Sequence, residues 1–235
     1  MKDGLTITAI EGVPVKRFRL TNWHNKNMPV ERVAISDGVV CIDDGAFAEC
    51  TALKAVAIPS SVTNIGFGAF RNCARLEQIS LPSGIREIAS EMFYGCTQLK
   101  KVIVPDGVME IGCGAFLNCL AMEEVYVPDG VEAIGDRAFQ SCKALKKIKL
   151  PRNVKSIGFD AFNDCESLET IYVPKNYDRN ALRITSLPDT TKVVVANNTI
   201  IVFLGSAAAT IVVSVLVLLF VRLRKTKSGD VIKSK

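Results

Sequence analysis

A chain of 235 residues with 49% hydrophobic and 23% charged residues has the makings of one folded domain plus an appendage, which excludes a chain that is disordered throughout. Its net charge of +5 sits at one end: of 29 basic and 24 acidic residues, six and one follow Val221, leaving 23 of each before it. The body of the chain therefore carries no basic field, and no nucleic-acid partner is expected.

In chain order, Leu5–Ile10 and Val15–Leu20 alternate apolar and polar residues around a Gly12-Val13-Pro14 turn. This predicts a capping hairpin within an N-terminal cap spanning 1–29. The only His, His24, lies in the polar stretch Asn22–Lys26, with no nucleophile spaced to use it, and reads as a surface residue of that cap.

From Val30 the chain is periodic. Phe47, Phe70, Phe93, Phe116, Phe139 and Phe162 step by 23 without an insertion. So do Cys50, Cys73, Cys96, Cys119, Cys142 and Cys165, and so do the prolines from Pro59 to Pro174. A fixed period of this length means stacked coils that touch only their neighbours. Within a unit, Leu76, Ile79 and Leu81 alternate, which predicts a short strand ended by Pro82. The spacing Phe70, Cys73, Leu76 predicts one turn of α- or 3₁₀-helix opposite the strand. Gly66, Gly112, Gly135 and Gly158 mark the bend between them, where positive φ is expected.

The consensus I-G-x-x-A-F-x-x-C-x-x-L-x-x-I-x-(I/V/L)-P resembles the 23-residue BspA-like leucine-rich repeats of bacterial and protist cell surfaces, over about Val30 to Pro174. Met92 for Ala, Met122 for Leu and Ala89 for Gly are its mild departures. The resemblance implies an α/β leucine-rich-repeat solenoid over 30–175, built of short parallel strands and short helical turns and used for adhesion or protein binding.

Equivalent cysteines in adjacent coils stack about 4.8 Å apart, a spacing that also admits disulfides. Each lies between Phe and Leu in an apolar column and has two equal neighbours, so a column of free buried thiols is the favoured reading, with some disulfide pairing as the alternative. Clustered C-x-x-C ligands are absent, so no metal is expected. No phosphate-cradling loop or catalytic constellation appears, and neither enzymatic activity nor a cofactor is expected.

Because the inward positions are fixed, specificity falls to the outward ones. One outward column reads Ala57, Ser80, Ile103, Tyr126, Lys149, Tyr172, and its neighbour Ala55, Gln78, Lys101, Glu124, Lys147, Thr170. Ile103, Tyr126, Lys149 and Tyr172, flanked by Lys101, Glu124 and Lys147, are the candidate partner-binding residues.

The period is expected to fail after Pro174, leaving a C-terminal cap and linker over 176–199, in which Lys192–Ala196 adds a last strand. Ile200–Val221 is uncharged for 22 residues, enough for a transmembrane helix. Its Gly205–Ala209 stretch has the small-residue spacing of a weak helix–helix dimer. The basic tail 222–235 predicts a single-pass plasma-membrane protein with the repeats outside and the tail in the cytoplasm. A signal peptide is not evident at Met1–Ile7, so an intracellular tail-anchored scaffold is the alternative. Leu187-Pro188-Asp189-Thr190-Thr191 resembles the L-P-x-T-G sorting signal of Gram-positive surface proteins, with Thr191 in place of Gly. The sequon Asn197-Asn198-Thr199 lies too close to the apolar run to be a glycosylation acceptor. Expected partners are therefore a protein or extracellular-matrix ligand and the membrane.

Overall fold

The computed structural model describes residues 30–175 and 187–195 in full. It also describes the backbone of Leu5–Ile7, Phe18–Leu20, Thr199–Phe203 and Thr210–Val213. Every 23-residue unit makes one coil, and three ladders of hydrogen bonds run along the stack, the second of them interrupted between Asn64–Ile65 and Glu87–Ile88. The first is a face of parallel strands of three or four residues: Arg32–Ile35, Ala55–Ala57, Gln78–Ser80, Lys101–Ile103, Glu124–Tyr126, Lys147–Lys149 and Thr170–Val173. The hydrogen-bonded sheet divides between Glu124–Tyr126 and Lys147–Lys149, and Val125 there is half-buried. The second is a face of mostly two-residue strands, from Val39–Ile42 and Asn64–Ile65 to Ala133–Ile134 and Ser156–Ile157. Pro follows every long strand but the first, where Ser36 takes its slot, and from Pro59 to Pro151 it accepts the N–H three residues on, as in Val108 N to Pro105 O at 3.0 Å.

The third ladder replaces the expected helical turn. Among the described residues there is no helix, so the repeat region is an all-β solenoid rather than an α/β one. Phe70, Cys73 and Leu76 do point inward and are fully buried. They reach the core through consecutive turns in which two residues per coil are left-handed, for example Gly68 at φ 55° and Asn72 at φ 57°. A left-handed residue every fourth position prevents the i to i−4 bonding of a helix. The freed N–H groups bond to the following coil instead: Phe47 N to Ala69 O at 2.7 Å, Phe93 N to Ala115 O at 2.8 Å, Phe116 N to Ala138 O at 2.8 Å. Non-glycine residues take the same conformation, Arg137 at φ 56° and Asp160 at φ 55°, so these positions look ordinary in the sequence.

The bend glycines have a different purpose from the one expected. Gly135 does not adopt positive φ. A Cβ there would lie 2.6 Å from the Cys113 N and 2.7 Å from the Gly112 carbonyl carbon. Glycine is used because the chain passes hard against the previous coil, where Gly135 N bonds Ile111 O at 2.7 Å.

The core is a set of columns. The six Phe rings stack with centroids 5.2–5.7 Å apart and planes within 13° of parallel. Among the described residues all eight cysteines are free thiols. Cys73, Cys96, Cys119, Cys142 and Cys165 each donate an S–H to the Phe carbonyl of the coil before, at 3.1–3.3 Å. The repeated Cys is thus a small apolar filler with one weak donor aimed at a carbonyl that needs a second partner. Burial raises all five thiols, Cys96 and Cys165 to about 12.

Both ends depart from expectation. Leu5–Ile7 and Phe18–Leu20 do not pair as a hairpin. One pairs in parallel with Arg32–Ile35 and the other with Val39–Ile42, which makes them part of a preceding coil. His24 lies outside the described residues. At the other end the repeat continues into a seventh coil. Thr191 stands 23 residues after Leu168 and donates its hydroxyl to the Leu168 carbonyl at 2.5 Å. Its N–H bonds Pro188 O at 2.9 Å, as Leu168 N bonds Cys165 O. Pro188 thus takes the Cys slot and Thr191 the Leu slot, and Lys192–Val195 is the strand expected there, parallel to Thr170–Val173.

The helix expected over 200–221 is not what the described part of that run shows. Thr199–Phe203 and Thr210–Val213 are strands, the first antiparallel to Lys192–Val195 and the second antiparallel to the first. No helix among the described residues is long and apolar enough to cross a membrane. Thr, Ile and Val crowd this stretch, and without a bilayer their branched side chains favour extension of an open sheet edge over a helix.

Candidate interaction face

The long-strand face is built by the strand alternation. Val56, Ile79, Val102, Ile148 and Ile171 point inward and are buried, so the residues on either side of them must point out. The expected partner-binding residues all lie on this one face. Glu124–Tyr126 pairs with Lys101–Ile103 in register, setting Tyr126 beside Ile103 and Glu124 beside Lys101. Lys147–Lys149 pairs with Thr170–Val173, setting Tyr172 beside Lys149. Ile103 is 59% exposed, Tyr126 52% and Tyr172 41%. Large apolar side chains exposed on a rigid sheet need no backbone ordering when a partner covers them.

The face is uneven along the stack. In the early coils the same column holds Ala57 and Ser80, and a depression of about 650 Å³ opens there between Ala55, Gln78, Ser80, Lys101 and Ile103. Beyond it the surface rises through Tyr126, Lys149 and Tyr172. Some of the charged groups are engaged with neighbouring coils. Lys101 pairs with Glu124 at 3.2 Å, while Asp129 takes both Lys149 at 3.7 Å and Arg152 at 3.1 Å. These pairs are solvent-exposed, so they align the side chains more than they stabilise the fold.

One set of residues on this face escaped the reading of the apolar columns. Just before each strand stands a charged residue, and its sign flips at every coil: Glu31, Lys54, Glu77, Lys100, Glu123, Lys146, Glu169. All from Glu77 onward are exposed. Lys54 reaches Glu31 at 2.8 Å and holds its carboxyl below the usual range. The signal was available as the same step of 23 that marks the core.

The short-strand face is different in kind. It exposes Phe67, Met109 and Phe159 as separate side chains. Acceptors on alternate coils cap the following backbone: Asp44 Oδ1 takes the Phe67 N–H at 2.8 Å, Ser90 Oγ the Cys113 N–H at 3.1 Å, and Asp136 Oδ1 the Phe159 N–H at 2.7 Å. Cys113, outside the repeating Cys series, is exposed. Among the described residues no cluster of His, Cys, Asp and Glu is arranged to hold a metal. The sorting-signal resemblance has a structural explanation: Leu187–Thr191 is the turn of the seventh coil, with Thr191 buried. A processing enzyme would meet a bonded turn there, not an extended strand.

A family model described as BspA type leucine rich repeat region matches residues 22–146 and 109–191, with six copies of the repeat. Among solved structures, a leucine rich cell surface protein of Faecalibacterium prausnitzii A2-165 is similar at 30% identity and TM-score 0.62, over 85% of this chain and 51% of that one. A leucine-rich repeat protein of Bacteroides ovatus is similar in fold, at 22% identity and TM-score 0.51, over 81% of this chain and 62% of that one. The chain thus spans between half and two-thirds of the length of these structures. No curated protein gives a significant match.

Proposed function

The chain belongs to the BspA-type leucine-rich repeat family, and from that premise we propose that it is a non-catalytic cell-surface protein that binds another protein or a matrix macromolecule through its long-strand face. The observation that carries this reading is the in-register exposure of Ile103, Tyr126 and Tyr172 on hydrogen-bonded strands. Aromatic residues on a rigid sheet, with the flanking Lys101 and Glu124 paired to each other, make a surface suited to contact with a partner. The name of the Faecalibacterium relative, a cell surface protein, supports display outside the cell.

Adhesion requires attachment, and the uncharged run 200–221 followed by the basic tail supplies it on this reading. In lipid every backbone polar group must be satisfied within the segment, so this run would leave the sheet edge and become helical there. The basic tail then stays in the cytoplasm and the repeats face outward.

Protease treatment of intact cells carrying the full chain, with separate detection of the repeats and the tail, tests this arrangement. Loss of the repeats with survival of the tail is the expected result. Repeats that survive until the cells are opened would refute surface display and favour an intracellular scaffold.

A further inference from the structure

The long-strand face is complementary to itself. The charged column changes sign at every coil, so turning the stack end for end about a point midway between two coils sets each charge against its opposite. Two midpoints also oppose the doubled charges, since Glu123 and Glu124 match Lys146 and Lys147 as well as Lys100 and Lys101, and only one of the two also sets small side chains against large, the one between the Lys100 and Glu123 coils. There Lys100 and Lys101 meet Glu123 and Glu124 of the other copy, and Glu77 meets Lys146. Shape follows the same symmetry. Ile103 meets Tyr126, Ser80 meets Lys149, and Ala57 meets Tyr172. The small half of one copy takes the large half of the other, and the depression over Ala55, Gln78 and Ser80 receives the ridge. Asp106 against Asp129 is a like-signed meeting, and Asp129 already carries Lys149 and Arg152.

We propose that this face pairs with the same face of a second copy of the chain, about a two-fold axis that runs parallel to the strands between Lys101–Ile103 and Glu124–Tyr126. This deepens the interaction reading of the face and rests on it. The pairing is isologous, so every contact occurs twice. Rotation about the stacking axis would instead lay the charged column on the Ile and Tyr column, and it gains nothing. The strands of the two copies run in the same direction while the stacks run in opposite directions. The seventh coils therefore lie at opposite ends of the pair. Two chains held at their C-terminal ends would bridge facing surfaces, which is the geometry of homophilic adhesion.

The test is sedimentation velocity of the full chain in detergent micelles over a range of concentrations. The variants are Lys100→Glu/Lys101→Glu, Glu123→Lys/Glu124→Lys, and Ala57→Arg, which blocks the small half. The unaltered chain is expected to form pairs. Each charge-reversed variant alone should pair about tenfold or more weakly, because like charges then meet across the axis. An equimolar mixture of the two should recover to within about threefold of the original, because every reversed residue then meets a reversed partner. Ala57→Arg should weaken pairing without changing thermal stability. A monomeric unaltered chain, charge reversals without effect, or a mixture no stronger than its components would each overturn the proposal. If the chain is monomeric but still binds a different immobilised protein through Tyr126 and Tyr172, self-pairing fails while the interaction reading of the face survives.

Discussion

Coil after coil, the interior of this solenoid is the same and its long-strand face is not. Inside, Phe repeats six times in an unbroken stack, and five cysteines in succession make the same bond. Outside, the column beside it runs from Ala57 through Ile103 to Tyr172. The contrast follows from spacing. A coil lies about 4.8 Å from its neighbours, so an interior side chain must match the one above and the one below. A surface side chain needs only to reach water or a partner. Repetition is therefore the mark of stability here, and the long-strand face is where the chain is free to vary.

The largest effect expected on the interior side is from Phe116→Ala. It removes a fully buried ring from the middle of the stack and should cost about 3–5 kcal/mol in urea unfolding. Tyr126→Ala, on the strand face ten residues later, should change stability by no more than about 0.5 kcal/mol. Comparable losses at the two sites would break the distinction.

Gly135→Ala should come next, at about 1–3 kcal/mol by thermal melting, because the added Cβ meets backbone rather than a flexible side chain. Ala89 shows that one coil already accommodates a methyl in this slot, so a loss near zero would mean that the neighbouring coil shifts freely.

The thiols sharpen the contrast by pH. Burial raises Cys96 and Cys165 to about 12, while an unfolded thiol titrates near 9. The folded state holds these protons more tightly than the unfolded state. Their stabilising effect is therefore complete below about pH 8 and declines as pH rises through 9 toward 12. Urea midpoints measured from pH 7 to 11 should be flat at first and then fall, and Cys96→Ala should fall less steeply. At neutral pH a thiol reagent should modify exposed Cys113 rapidly and the five buried thiols only on unfolding.

The smallest effect is expected from Lys101→Ala, which removes an exposed ion pair with Glu124 and should shift stability by less than about 0.5 kcal/mol.

Much of this could be read in the sequence because the interior repeats. The Phe, Cys and Leu series set the coil length, the inward positions and the strand alternation without reference to coordinates. The turn could not be read that way. Arg137 and Asp160 sit in left-handed conformations that their side chains do not announce, and a three-residue spacing suits such turns as well as a helix. The seventh coil was hidden because Pro188 and Thr191 replace the Cys and Leu that define the period, so only the bonds to Cys165's and Leu168's coil reveal it. The strands within 199–213 were masked by hydrophobicity, which reads alike for a membrane helix and a sheet edge of β-branched residues. On the interaction face, the exposed Ile and Tyr stood out as apolar residues in outward slots. The alternating column from Glu31 to Glu169 did not, because charge on a surface draws no notice until its sign is followed in steps of 23.

The most direct test of the division between interior and face is to compare retention of cells displaying the full chain, unaltered and as Tyr126→Ala/Tyr172→Ala. The surfaces would be coated with matrix proteins and, on one of them, with the chain itself. Retention on the bound surface should be lost while the thermal midpoint stays unchanged. Full retention by a well-folded double variant would contradict the assignment of recognition to the long-strand face.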